Sequence, residues 1–164
     1  MKSRVKKQKI GLIVGKFAPL HKGHQFLIET ALKKVDQLII IVYQTPKEIK
    51  IPLKNRVKWL KKLYPKAIII AGNKAPLEHG KDPIITLHNI EFVKNSIPCP
   101  VTHVFSSEPY GQLLSKALGT KNILVDKKRL HFPISATIVR SDLEKYKKFL
   151  PDMVYQDLKK HQLT

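Results

Sequence analysis

Two histidines three residues apart, His21 and His24, stand where a predicted helix begins, just after a turn that carries Lys16. The apolar run at residues 10–14 precedes that turn and predicts a buried strand. The first N–H groups of a helix and the positive end of its dipole favour an anion at such a junction. Imidazole and ammonium groups beside it can donate hydrogen bonds to phosphate oxygens. Residues 11–24 therefore predict a cradle for a nucleoside triphosphate.

Other chemistries fit this stretch less well. It contains no Gly-x-Gly-x-x-Gly motif, and it lacks the spacing and the Ser/Thr of a Walker A loop. Two histidines at i and i+3 without an acidic or sulfur partner nearby make a poor zinc set, so we predict no metal site formed by side chains. The simplest alternative is a pair of helix-start residues that bind nothing.

A second candidate lies near the other end of the chain, in Ile134-Ser-Ala-Thr-Ile-Val-Arg140. Ser135 and Thr137 suit the N-terminal cap of a short helix, and Arg140 follows one turn later. Such a helix start can hold phosphate, and the guanidinium of Arg140 is a permanently charged, planar donor. Taken alone, the segment is equally an ordinary capped helix with an exposed arginine.

Together, the two motifs resemble the nucleotidyltransferase superfamily, which pairs His-x-Gly-His after its first strand with Ile-Ser-x-Thr-x-x-Arg after its last. Four further stretches are similar to the adenylyltransferase half of NadR-type proteins, which join nicotinamide mononucleotide to ATP. The likeness covers about residues 10–158. The stretches are Gly15-Lys-Phe-Ala-Pro-Leu-His21-Lys-Gly-His24, Asn55-Arg-Val-Lys-Trp-Leu60, Ser106-Ser-Glu-Pro-Tyr-Gly111 and Val125-Asp-Lys-Lys-Arg129.

The resemblance implies a role for each matching residue. Lys16, His21 and His24 would bind and polarise the phosphates of ATP, brought as its Mg2+ complex, and Arg140 would stabilise the leaving pyrophosphate. The remaining ATP contacts would come from Gly15, Phe17, Ser107, Glu108, Tyr110, Ser135 and Thr137. Acceptor contacts would come from Arg56, Trp59 and His79.

The acceptor is where this chain departs from its relatives. NadR-type proteins carry a tryptophan-bearing segment after a His-Gly pair, whereas here His79-Gly-Lys-Asp-Pro-Ile84 has none and Trp59 lies on an earlier helix. Nicotinate mononucleotide, phosphopantetheine and flavin mononucleotide therefore stay open as acceptors. The likeness is to the transferase half only, since the kinase half of those proteins has no counterpart here.

The composition gives a second class of hypothesis. A chain of 164 residues predicts one domain, with a basic lead-in at 1–9 and a helical segment at 143–164. The net charge of +19 suits nucleic acid or phosphate-rich ligands. The lysines are scattered, however, so we expect nucleic-acid binding to be unlikely. A silent ATP sensor is a third possibility, and a homo-oligomer is possible.

Two further features predict a cytoplasmic protein. The single cysteine, Cys99, excludes an internal disulfide and suits a reducing compartment. No apolar run approaches the ~20 residues of a membrane span, and the lysine-rich N-terminus lacks a signal-peptide core.

These residues need a scaffold that brings distant loops together. The apolar runs predict strands at 10–14, 38–43, 67–71, 101–105 and 123–126. Helical periodicity and cap signals predict helices at 23–34, 52–64, 84–96, 108–118 and 137–142, with a last one begun by Pro151. This alternation predicts an α/β fold, a Rossmann-like doubly wound parallel sheet of five strands. The loops that follow its strands would meet at one edge, where such sheets bind ligands.

Overall fold

The computed structural model describes residues 7–77 and 82–163, and in them the predicted five-stranded parallel sheet is confirmed. The strands are β1 (Ile10–Gly15), β2 (Gln37–Tyr43), β3 (Ile68–Gly72), β4 (His103–Ser106) and β5 (Lys121–Leu124). Their order across the sheet is β3-β2-β1-β4-β5, and each neighbouring pair is parallel. The chain reverses its direction of winding between β1 and β4, which is where open α/β sheets place their ligands.

Seven α-helices lie in the described residues, and each predicted strand or helix boundary falls within two residues of the observed one. The helices are α1 (Lys22–Leu32), α2 (Leu53–Leu63), α3 (Pro83–Ser96), α4 (Tyr110–Leu118), α5 (Ala136–Ser141), α6 (Leu143–Tyr146) and α7 (Asp152–His161). Sequence reasoning predicted a helical segment at 143–164, which in the structure consists of α6, the 3-10 turn Lys147–Phe149 and α7. It also placed β5 two residues late, because this edge strand is largely exposed and has little apolar pattern.

The sheet is covered on both faces, which explains the unbroken apolar sequence of β2. Ile40 and Val42 pack into a core with α1, α2 and α7, whereas Ile39 and Ile41 pack into a second core with α3 and α4. Side chains that alternate between two buried faces require a strand that is apolar at every position. This two-sided burial fixes the carboxyl ends of β1, β2 and β4 relative to one another.

Candidate active site

A cavity of about 730 Å³ opens at the carboxyl edge of the sheet, between the end of β1 and the starts of α1, α4 and α5. Its wall contains every residue that was predicted to act on ATP: Gly15, Lys16, Phe17, His21, His24, Ser107, Glu108, Tyr110, Ser135, Thr137 and Arg140. The fold thus brings residues more than a hundred positions apart into one site. Their roles in binding and turnover stay predictions.

The start of α1 is organised by the two histidines themselves. His21 is the N-cap of the helix, and its Nδ1 accepts hydrogen bonds from the backbone N–H groups of Gly23 (3.1 Å) and His24 (3.4 Å). In return, Nδ1 of His24 accepts from the N–H of His21 at 3.4 Å. These N–H groups are therefore already hydrogen-bonded. This corrects the expectation that they are available to bind an anion.

This arrangement sets the protonation of both rings. Because Nδ1 accepts in each case, a neutral ring carries its proton on Nε2, which remains as a donor. The rings stack with centroids 3.8 Å apart. Burial, reinforced by the charge of Arg129, lowers the pKa of His21 to about 4. Burial, followed by the charges of His21 and Arg129, holds the pKa of His24 well below its usual range. The site thus presents two neutral imidazole donors.

Three cationic side chains line the same cavity: Lys16, Arg129 and Arg140. Arg140 donates to the carbonyl oxygen of Ala18 and, at 3.3 Å, to the hydroxyl of Thr137. Burial, and then the positive charge of Arg140, lower the pKa of Lys16. Like charges held together in a partly buried cavity favour a polyanionic ligand. Sequence reasoning had quoted Arg129 only as part of a motif, although its place in the loop after a strand could have marked it.

The far side of the cavity is formed by the loop after β4 and the first turn of α4. The hydroxyl of Ser106 donates to the carbonyl oxygen of Glu108 at 3.0 Å, which shapes the loop. A Cβ at Gly111 would collide with the Ser106 side chain, so only glycine permits this approach of α4 to β4. Burial raises the pKa of Tyr110, which keeps its phenol protonated.

Sequence reasoning missed the cavity wall contributed by β2 and α3. Tyr43, Thr86 and Asn89 line it, and the Tyr43 hydroxyl lies 3.4 Å from the carbonyl oxygen of Asn89. Tyr43 ends a strand and Asn89 lies within a helix of mixed polarity. No motif distinguishes them from core residues.

Two of the predicted acceptor-binding residues lie in the core, so we withdraw that role for both. Arg56 is 1% exposed, and its guanidinium donates to three backbone carbonyls: Lys16 (2.6 Å), Tyr43 (2.6 Å) and Ile51 (3.1 Å). Trp59 is 0% exposed, and its indole N–H donates to Asp157 at 2.7 Å. Arg56 thus ties the loop of Lys16 to the end of β2. The third residue, His79, lies outside the described residues.

Neither a metal cluster nor a membrane helix occurs in the parts of the chain that the structure describes. Across 7–77 and 82–163, no three His, Cys, Asp or Glu side chains gather as ligands for one ion. Over the same ranges, no helix has the length and apolarity that a bilayer crossing needs.

The sequence profile of the cytidylyltransferase-like family matches residues 12–142, which include both motifs and the whole sheet except the first two residues of β1. The chain therefore belongs to this family and is a nucleotidyltransferase domain. The trifunctional NAD biosynthesis/regulator protein NadR of Escherichia coli (strain K12) is 31% identical over 166 residues. That alignment takes in 90% of this chain and 40% of NadR, so the chain spans well under half of the length of this relative.

Two other proteins are similar to this chain, one in a short stretch of sequence and the other in fold. Phosphopantetheine adenylyltransferase of Fusobacterium nucleatum is 55% identical, but over only 38 residues, or 23% of each protein. The bifunctional NMN adenylyltransferase/ADP ribose pyrophosphatase of Francisella tularensis has the same fold, with a TM-score of 0.65 at 17% identity. Their superposition covers 96% of this chain and 50% of that one.

Proposed function

We propose that this domain transfers the adenylyl group of ATP to the phosphate of nicotinamide mononucleotide, with NAD and pyrophosphate as products. The observation that carries the proposal is the joint cavity wall, in which the His21–His24 pair and the Ser135–Arg140 segment face one space. The overlap with NadR favours this acceptor, because NadR is a protein of NAD biosynthesis.

The proposed reaction requires no proton transfer by a side chain of the protein. An oxygen of the acceptor's phosphate attacks the α-phosphorus of ATP in line. The bond from that phosphorus to the bridging oxygen breaks, and pyrophosphate leaves with its electron pair. An ionised phosphate is already a nucleophile, so the reaction needs no general base. Catalysis then consists of positioning and of stabilising charge on the phosphates.

The residues of the cavity fit that task. Neutral imidazoles at His21 and His24 donate Nε2–H to phosphate oxygens without adding charge of their own. Lys16 and Arg140 supply positive charge near the bond that breaks. Mg2+ would arrive bound to ATP, since it keeps several waters and needs only one or two protein carboxylates. Glu108 and Asp126 are the carboxylates on the cavity wall.

A second acceptor is favoured by one observation. The short, 55% identical match to a phosphopantetheine adenylyltransferase raises 4'-phosphopantetheine as the alternative. A nucleic-acid-binding module explains the charge of +19 but not why both motifs line one cavity. A cytoplasmic location and a homo-oligomeric state stay predictions.

One assay distinguishes the possible acceptors from one another and adenylyl transfer from nucleic-acid binding. The protein is incubated with ATP, Mg2+ and one acceptor at a time: nicotinamide mononucleotide, nicotinate mononucleotide, phosphopantetheine or flavin mononucleotide. Pyrophosphate release is measured, and the product is identified by its mass. We expect release with nicotinamide mononucleotide, and none without an acceptor. Release with another acceptor alone would correct the substrate, and release with none of them would overturn the enzymatic proposal.

A further inference from the structure

Arg129 is the cation on the cavity wall to which the proposed reaction gives no task. It follows β5, in the loop that leads to the start of α5.

The loop is built in an unusual backbone conformation. Asp126 and Arg129 both have positive φ, at 47° and 51°. Residues other than glycine rarely adopt this region, so the surroundings must hold the loop in this conformation. Here the N–H of Arg129 donates to the carbonyl oxygen of Asp126 at 2.8 Å. The Asp126 carboxylate accepts from the N–H groups of Leu130 (2.8 Å) and Phe132 (3.3 Å). Asp126 thus acts as a positioning residue for the loop.

The guanidinium of Arg129 stands between the two motifs. It donates to the carbonyl oxygen of Ile134 at 3.3 Å, beside the N-cap of α5. Its positive charge also contributes to the lowered pKa of His21 and of His24, so it lies within electrostatic reach of the first motif. A phosphate chain that contacts both motifs would pass next to it.

The present contacts of this side chain are weak. Its Nη2 is 3.9 Å from Glu108 Oε1, and the two side chains are 44% and 69% exposed. Exposed ion pairs of this kind contribute little to stability. A triphosphate offers several oxygens and more charge, so it can displace Glu108 from the guanidinium.

We infer that Arg129 is an ATP-binding residue that contacts the phosphate chain, and that Glu108 holds it at the cavity mouth until ATP arrives. The inference rests on the proposed function in that ATP is the donor, but it does not depend on which acceptor is used. It gives Glu108 a role at Arg129 in addition to its predicted contact with ATP.

The test compares Arg129→Met with Lys128→Met, a neighbouring basic residue that is exposed and does not line the cavity. Calorimetric titration measures the affinity of each full-length variant for ATP and for adenosine. A hydrogen bond to a charged group is worth about 1.5–3 kcal/mol, so we expect Arg129→Met to weaken ATP binding roughly tenfold to a hundredfold. Lys128→Met should change it less than about twofold, as exposed charges usually do.

Adenosine separates a phosphate contact from a structural role. If Arg129 only holds the loop through Ile134, its loss should weaken adenosine and ATP equally, and that result would overturn the inference. If Arg129→Met does not fold, Glu108→Gln replaces it. Removing the competing carboxylate should raise the affinity for ATP relative to that for adenosine by up to about fivefold, the equivalent of a weak surface pair. An unchanged or lower ratio of the two affinities would count against the inference.

The outcomes also distinguish this inference from the proposed function. If the wild type binds ATP through Arg129 but releases no pyrophosphate with any acceptor, the inference stands and the adenylyl transfer fails. If the enzyme is active and Arg129→Met binds ATP as tightly as Lys128→Met, the inference alone is overturned. If the wild type does not bind ATP, both are overturned.

Discussion

The two helix starts that flank the cavity, at α1 and at α5, are built differently. At α1, the histidine rings and the backbone satisfy each other in a closed set of hydrogen bonds, and His21 is only 6% exposed. At α5, the side chain of Ser135 accepts a single N–H bond, from Ile138 at 3.2 Å, and the helix has six residues. The first start is assembled before any ligand binds, whereas the second is held lightly.

The arginines associated with the first loop show the same contrast. Arg56 donates to three carbonyls inside the core, whereas the half-buried Arg140 donates to Ala18 and to Thr137 at the cavity wall. Both contact the backbone of residues 16–18, from 40 and 122 positions further along the chain. We infer that Arg56 maintains the shape of this loop and that Arg140 keeps donors for a ligand.

The largest effect should come from removing a donor on either side of the cavity. His24→Ala and Arg140→Ala should each reduce pyrophosphate release by about a hundredfold to a thousandfold, as the loss of one charge-stabilising donor does in other enzymes. His161→Ala, an exposed histidine on α7, should leave the rate unchanged. Nearly normal turnover in both variants would contradict the proposed roles of His24 and Arg140 in catalysis.

The two arginines should differ sharply in their effect on stability. Arg56→Met leaves three buried carbonyls without their donor, at about 1–3 kcal/mol for each unsatisfied group, so we expect a loss of about 3 kcal/mol or more. Arg140→Met should cost less than about 1 kcal/mol, because the carbonyl it contacts lies at a cavity that water can enter. Urea unfolding at pH 7 measures both. If both variants lose the same free energy of unfolding, Arg56 and Arg140 do not differ in their contribution to stability.

The buried imidazoles should make the protein sensitive to acid. His21 has a pKa of about 4 when folded, against about 6.5 in an unfolded chain. Between these values the unfolded chain binds the proton more readily, so the stability present above pH 6.5 is lost as the pH falls towards 4. His21→Asn keeps a good N-cap but binds no proton. From pH 7 to pH 5, the free energy of unfolding of the wild type should therefore fall by about 1–2 kcal/mol more than that of His21→Asn.

Chemical unfolding curves at the two pH values measure that difference. The same experiment on His161→Ala controls for an exposed histidine. A wild type and a His21→Asn variant with equal pH dependence would contradict the assignment of a neutral, buried ring.

The smallest effect should come from the start of α5. Ser135→Ala removes one capping bond from a short helix and should cost about 0.5–1 kcal/mol, at the low end for N-caps. Ser141→Ala, at the other end of the same helix, serves as the control. A loss above 2 kcal/mol in urea unfolding would mean that α5 is as firmly built as α1.

Much of this organisation was predictable from local sequence. The strands β1 and β2 are continuous apolar runs, and Gly119, directly after the predicted helix 108–118, ends α4 with a left-handed φ of 64°. Ser135 was correctly predicted as a cap. These predictions succeed because burial on both faces, left-handed turns and capping each impose a residue type within a few positions of the chain.

The roles of the arginines were not predictable in that way. Arg56 lies at helical spacing from Leu53 and Leu60, on the buried face of α2. The carbonyls it binds come from Lys16, Tyr43 and Ile51, on three different segments. Arg129 was part of a motif without a role until the turn begun by Asp126 placed it at the cavity. A charged side chain is equally compatible with water, with a buried carbonyl and with a ligand, so its local sequence does not select among them.

The sequence by itself determined the order of strands and helices and the two motifs at the ends of the chain, because hydrophobic periodicity and residue chemistry are local properties. Only the tertiary structure decided that His21 and His24 cap their own helix and that one arginine is buried while two others line the cavity. Those outcomes depend on desolvation and on hydrogen-bond partners that folding brings from distant parts of the chain.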